Sequence, residues 1–152
     1  MPDGLYDRDI LAWSEQQARL LARIAAGERL NEAVDWANVI EEVESVGRSE
    51  LHACESLLGQ ALLHLMKLSL EPESLAVPHW RGEVVGFVAR ARRSFAPSMR
   101  QRIDIPGLYA DGLKAVRAQA GVPTNLPTSC PYVLDDLLAD DLDLAGLVAR
   151  LS

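Results

Sequence analysis

Apolar residues return every three or four positions along almost the whole chain, the spacing of amphipathic helices and not the alternation of half-buried strands. From Asp7 to Ala26, the positions Ile10, Trp13, Leu20, Leu21 and Ile24 share one face, and Gly27 stands where a cap closes a helix. Asp35 precedes the next apolar run and is placed to accept from the first free backbone N–H groups of a second helix. That helix is the longest feature. Ile40, Val43, Gly47, Leu51, Cys54, Leu58, Ala61, Leu65 and Leu68 form a seam of three- and four-residue steps until Pro72 stops it. From 36 to 70 it would measure about 50 Å at about 1.5 Å per residue. A compact domain of this length has a radius of gyration of only about 15 Å, so the helix must protrude or bend, and Ser45-Val46-Gly47 is its weakest point.

A third helix is expected from about Pro78 to Ala96, with Val77, Trp80, Val84, Phe87, Val88, Ala91 and Phe95 inward. Gly82 and Gly86 on it, and Gly59 on the second helix, each cost about 1 kcal/mol against Ala, which is expected to reflect close approach of neighbouring backbones. A fourth helix spans roughly Pro106 to Ala120 and ends at Gly121; "VPTNLPTSCPY" is an extended connection, and a short helix after Pro131 carries Leu134, Leu137 and Leu138. At the end, Leu144, Leu147, Val148 and Leu151 make an i, i+3, i+4, i+7 stripe that either docks on its own bundle or forms an oligomer contact. No internal repeat or low-complexity tract interrupts the pattern, and residues 1–152 are expected to form a single all-α domain. Its architecture is an up-down bundle of three main helices with a smaller C-terminal helical part packed against it.

Composition narrows the function more than it names one. With 49% hydrophobic and 24% charged residues but only 5% aromatics, the core should be mostly Leu, Val and Ala. A formal net charge of −7 makes general nucleic-acid binding unlikely, because that affinity comes from neutralising phosphates. Cys54 and Cys130 have no paired spacing, so neither a disulfide framework nor a zinc signature is present. The opening "MPDGLYDRDI" is acidic, unlike an export signal, and no stretch reaches the ~20 apolar residues of a membrane span. A reducing cytoplasm is the expected compartment.

The carboxylates and histidine of "IEEVESVGRSELHACESLLGQALLHLMKL" do not make one site on a single helix. Glu44 and His64 would lie about 30 Å apart, and Glu50 and His64 about 21 Å, at about 1.5 Å per residue. Partners must come from neighbouring helices. With a turn near 31, Glu41 and Glu44 face Leu21 and Ala18, within reach of Arg19 and Arg23; with a turn near 74, His64 lies near Glu83, and Glu55 near Arg93. Solvated ion pairs of this kind contribute little. Glu50 falls inside the apolar face opposite Trp13, and a buried carboxylate needs a partner or a shifted pKa. Glu50, His64, His79 and Glu83 are the candidate functional cluster, and a divalent metal is its alternative use, short of the three ligands a catalytic zinc usually has. Arg90, Arg92, Arg93, Arg100 and Arg102 form a basic run, with an anionic partner set against internal pairing to the acidic "DDLLADDLDL" at 135–144. Phosphate-cradling glycine loops and nucleophile elbows are missing from the sequence.

The stretches "LYDRDILAWSEQQARLL" at 5–21, "DWANVIEEVESVGRSE" at 35–50, "LLHLMKL" at 62–68, "HWR" at 79–81 and "CPYVLDDLL" at 130–138 resemble, in order, a bacterial family of small helical proteins called domain of unknown function 29. The resemblance runs from about residue 5 to 142 and implies an all-α fold and bacterial origin; it implies no activity and no catalytic residue. The third helix, "GEVVGFVARA", is less polar here than in the family, and residues 143–152 look like a C-terminal extension. The reading that follows is a non-enzymatic interaction or oligomerising module whose partner is itself or another protein, through the terminal stripe or the exposed end of the long helix. A metal-dependent helix-bundle enzyme centred near His64 is the alternative.

Overall fold

The structure, a computed structural model, describes residues 4–152; the first three residues of the acidic opening stretch lie outside them. Among the described residues there are seven α-helices and no strand. They are α1 (Leu5–Arg8), α2 (Ile10–Ala25), α3 (Trp36–Leu70), α4 (Val77–Ser94), α5 (Ile105–Ala120), α6 (Leu134–Leu137) and α7 (Leu144–Ala149). The chain divides into two compact units at Ser49/Glu50. The expected all-α fold is what forms.

In the first unit, Asp9 starts α2 by accepting from the Ala12 N–H at 3.0 Å, and α2 ends at a glycine, Gly27, with φ of 102°. Asp35 is the organising residue. It accepts from the Trp13 indole at 3.1 Å and from the Asn38 side chain at 2.8 Å, while its own N–H donates to Gln17 at 2.8 Å. The Asn38 side-chain bond chiefly, helped by the Trp13 indole and the Asn38 backbone N–H against the cost of burial, holds the Asp35 carboxyl below its ordinary range. The expected N-cap of α3 is therefore present, and it also ties α2 to α3. These bonds set residues 13–17 beside 35, and Tyr6 donates to Glu42 at 2.6 Å. The register differs from a simple turn near 31, because Trp13 meets Asp35 and Tyr6 meets Glu42. Buried apolar residues are few in this unit: Trp13 and Val34.

The second unit holds the main core. From α3 come Cys54, Leu58, Ala61, Leu62, Leu65, Met66 and Leu68, packed against Val84, Val88 and Ala91 of α4 and Ile105, Tyr109, Leu113 and Val116 of α5. α4 runs antiparallel to this part of α3, as the Cys54 thiol 3.6 Å from the Ala91 carbonyl and the His64 and Phe87 rings 5.3 Å apart both show. Gly112 leaves room for a side chain of α3, since an added Cβ would sit 3.3 Å from the Met66 methyl. Gly82 and Gly86, expected at close approaches, face open space, and Gly59 has only an ordinary contact with Leu108. Their lack of a side chain has no packing explanation.

The C-terminal segment closes this core. Tyr132 donates to the Leu147 carbonyl at 2.5 Å, and its hydroxyl is pushed well above the ordinary tyrosine pKa by burial. Asp136 accepts from the Val133 N–H and from Arg150, both at 2.8 Å, and those bonds, the backbone one first, lower its pKa.

Two consequences can be measured. Leu62→Ala, at a fully buried position, is expected to cost about 2–5 kcal/mol in denaturant unfolding, and Asp35→Ala about 1–2 kcal/mol as a lost cap. Because the native Asp35 and Asp136 carboxyls titrate below their unfolded values, their stabilisation is complete above the unfolded carboxylate range and is lost as pH falls through the native values. Acid titration of unfolding in Asp35→Asn should show a shallower loss of stability on that limb than the parent chain; an identical limb would contradict the assignment.

Candidate functional site

The four residues of the candidate cluster do not assemble into a metal centre. Glu50 is exposed rather than inside the apolar face, and the Trp13 indole it was expected to meet donates to Asp35 instead. The error is one of register, since the phase that buries Cys54 and Leu58 leaves Glu50 on the flank of α3. His64 is half-buried against Phe87, and its Nδ1 donates to the Gln60 carbonyl of the same helix at 2.8 Å. His79 is exposed and lies 3.6 Å from Glu83, one turn further along α4. Among the described residues, no group of three or more His, Cys, Asp or Glu side chains is arranged to hold a metal ion.

The basic run is met in part from within the chain. Arg92 donates to the Ala139 carbonyl at 2.8 Å and lies 3.4 Å from Asp140, and Arg100 pairs with Asp135 at 2.7 Å. The acidic segment is thus the internal counterweight for two of the five arginines. Arg90 rests over the Phe87 ring at 5.2 Å, while Arg93 and Arg102 are exposed. Glu41 and Glu44 pair with Arg48 on their own helix, at 2.6 and 3.7 Å, not with Arg19 or Arg23; Arg23 pairs with Glu28.

The terminal stripe proves to be core. Leu147 and Leu151 are 3% and 2% exposed, and Leu144 and Val148 pack against the same cluster. Of the two expected uses of the stripe, docking on its own unit is the one seen, with Leu147 and Leu151 buried and Leu144 and Val148 partly exposed. The physical reason is the Tyr132–Leu147 bond and the Asp136–Arg150 pair, which hold α7 down.

An exposed apolar stripe lies on the first part of α3. Ile40, Val43 and Val46 are 54%, 69% and 65% exposed, and Trp36 is also exposed. At 100° per residue, positions 36, 40, 43 and 47 have the same helical phase as 54, 58, 61 and 65. One stripe on one helix is therefore buried in its second half and bare in its first. Gly47 lies on that stripe with nothing near the position a Cβ would occupy. The seam was legible as a pattern; that its first part is uncovered was not, since pattern reports a face's character and not its occupant.

The family model for domain of unknown function DUF29 matches residues 5–142 of the 152. The chain belongs to this family. A similar solved structure is that of an alpha-helical protein of unknown function from Rhodospirillum rubrum ATCC 11170, 31% identical, with a TM-score of 0.72 and 97% of each chain covered. No curated protein matches the chain. The DUF29 fold is thus present over almost the full length. Among the described residues, no helix is long and apolar enough to cross a membrane.

Deleting residues 143–152 from this DUF29 chain is expected to remove two fully docked leucines and the Tyr132 acceptor. Leu147→Ala alone should cost about 2–5 kcal/mol and leave the oligomeric state as it was. A shift in subunit number at unchanged stability would return the stripe to the role of an oligomer contact.

Proposed function

We propose that this DUF29 chain is a non-enzymatic interaction module that associates with a second copy of itself through the bare stripe of α3. The observation that supports this is the stripe's continuity: Trp36, Ile40 and Val43 repeat the phase of Cys54, Leu58 and Ala61 but are exposed. The first unit, Met1–Ser49, has Trp13 and Val34 as its buried apolar residues among those described, and domains below about 70 residues often add oligomerisation, metals or disulfides to gain stability.

The available surface suits a symmetric pair. The four side chains Trp36, Ile40, Val43 and Val46 expose roughly 450 Å², and two copies give about 900 Å² of apolar area, close to the non-polar share of a standard interface of about 1,600 Å². A two-fold pairing uses the same patch twice, so a stripe that is apolar along one helix is complementary to itself. Gly47, open to its surroundings, lets a partner helix approach without displacing a side chain. Arg48, next to Gly47 in the chain, is already paired with Glu41 and Glu44.

Light scattering and native mass spectrometry of the untagged protein should give a dimer. Val43→Glu should weaken it by at least ~100-fold, because the two-fold buries the new charge twice, while helical circular dichroism stays the same. A monomeric parent chain at concentrations where a standard interface is filled would overturn the reading, as would a dimer indifferent to Val43→Glu and Ile40→Glu together.

A further inference from the structure

We propose that the second unit carries a ligand site in the cleft between the end of α3, the start of α4 and the end of α5, and that it takes a small carboxylic acid with an apolar body. This rests on observations independent of the bare stripe. The cleft measures about 540 Å³, within the range of about 300–1,000 Å³ typical of small-molecule sites. Leu70, Trp80 and Val116 give it an apolar side large enough for a ring or a short alkyl chain.

Its polar lining residues are Lys67, Glu71, Gln119, Thr124 and Asn125. Lys67 lines the cleft with its ammonium 6.0 Å from the centre of the Trp80 ring, the outer limit of a cation–π contact. Among the described residues Lys67 forms no ion pair, so a half-buried cation is held only by an aromatic face. Thr124 lines the same cleft, and its Oγ1 is enclosed without a hydrogen-bond partner. Buried hydroxyls without partners are rare, and such a group points to a missing water or ligand. One step of χ1 exchanges Oγ1 with the methyl group on the same carbon, which gives a ligand oxygen access to the hydroxyl. A carboxylate would accept from Lys67 with one oxygen and from Thr124 with the other, leaving its apolar body against Trp80.

Glu71 at the rim and the C-terminal ends of α3 and α5 oppose an anion. Glu71 is exposed and screened by water, whereas Lys67 is half-buried, so the cation dominates inside the cleft. The sign of the ligand charge is accordingly the point to test.

Isothermal titration calorimetry on the full chain, with phenylacetate and octanoate as acids and 2-phenylethylamine and 2-phenylethanol as matched controls, tests it. The acids should bind one per chain and at least ~10-fold tighter than either control. Lys67→Met and Thr124→Val should each weaken the acids by about 10-fold, and Ala120→Trp, which fills the cleft from an exposed position, should abolish binding while circular dichroism is retained. Millimolar silence from both acids overturns the site. An amine or alcohol that binds as tightly as phenylacetate overturns the ligand class. Unchanged affinity in Thr124→Val assigns that hydroxyl to water and removes it from the site.

Discussion

An amphipathic helix of 35 residues needs its apolar stripe covered along its length, and this chain is organised by how far that cover extends. From Cys54 to Leu68 the stripe is buried by α4 and α5, with Leu58, Ala61, Leu62 and Leu65 fully enclosed. Full burial of a leucine side chain is worth about 1.5–3 kcal/mol, so this half of α3 supplies the largest apolar stabilisation in the second unit. From Trp36 to Val46 the same stripe faces outward. The first unit therefore relies on directed bonds where the second relies on packing.

That division explains the character of the two units. In the first, one carboxylate, Asp35, satisfies the indole of Trp13, the amide of Asn38 and the opening of α3, while its own N–H meets Gln17. Hydrogen bonds to charged groups are the stronger kind, about 1.5–3 kcal/mol each, and they fix register where few apolar contacts do. In the second, polar contacts are latches on an apolar core: Tyr132 to Leu147, Asp136 to Arg150, Arg92 to Ala139. These latches hold a C-terminal segment with only two short helices, α6 and α7, against the long ones.

Most of the chain's conspicuous charges are neutralised locally and so lose their value as functional signals. Arg48 sits between Glu41 and Glu44, and Arg100 and Arg92 find Asp135 and Asp140. Two of the three histidines are similarly accounted for, His64 by its own helix and Phe87, His79 by Glu83. What stays chemically open is of a different kind: a bare apolar stripe, and a cleft in which a lysine faces a tryptophan beside an enclosed hydroxyl.

The helices themselves were legible in the sequence, because period and caps are local properties. The three-and-four spacing, Asp35, Gly27, Gly121 and the prolines delimit α2 to α5 within a few residues. The antiparallel pairing of α3 with α4 also followed, since a short connection leaves little choice. Register between elements separated by a longer connection did not follow. Tyr6 and Trp13 meet Glu42 and Asp35, while Glu41 and Glu44 meet Arg48 on their own helix, and Glu50 faces water. The fate of each apolar stripe was likewise decided only by tertiary packing. Residues 144–151 and 36–46 read alike as amphipathic faces, yet the first is sealed by Tyr132 and Arg150 and the second is left bare. A sequence specifies that a face seeks cover; which neighbour arrives to give it depends on contacts between residues far apart in the chain.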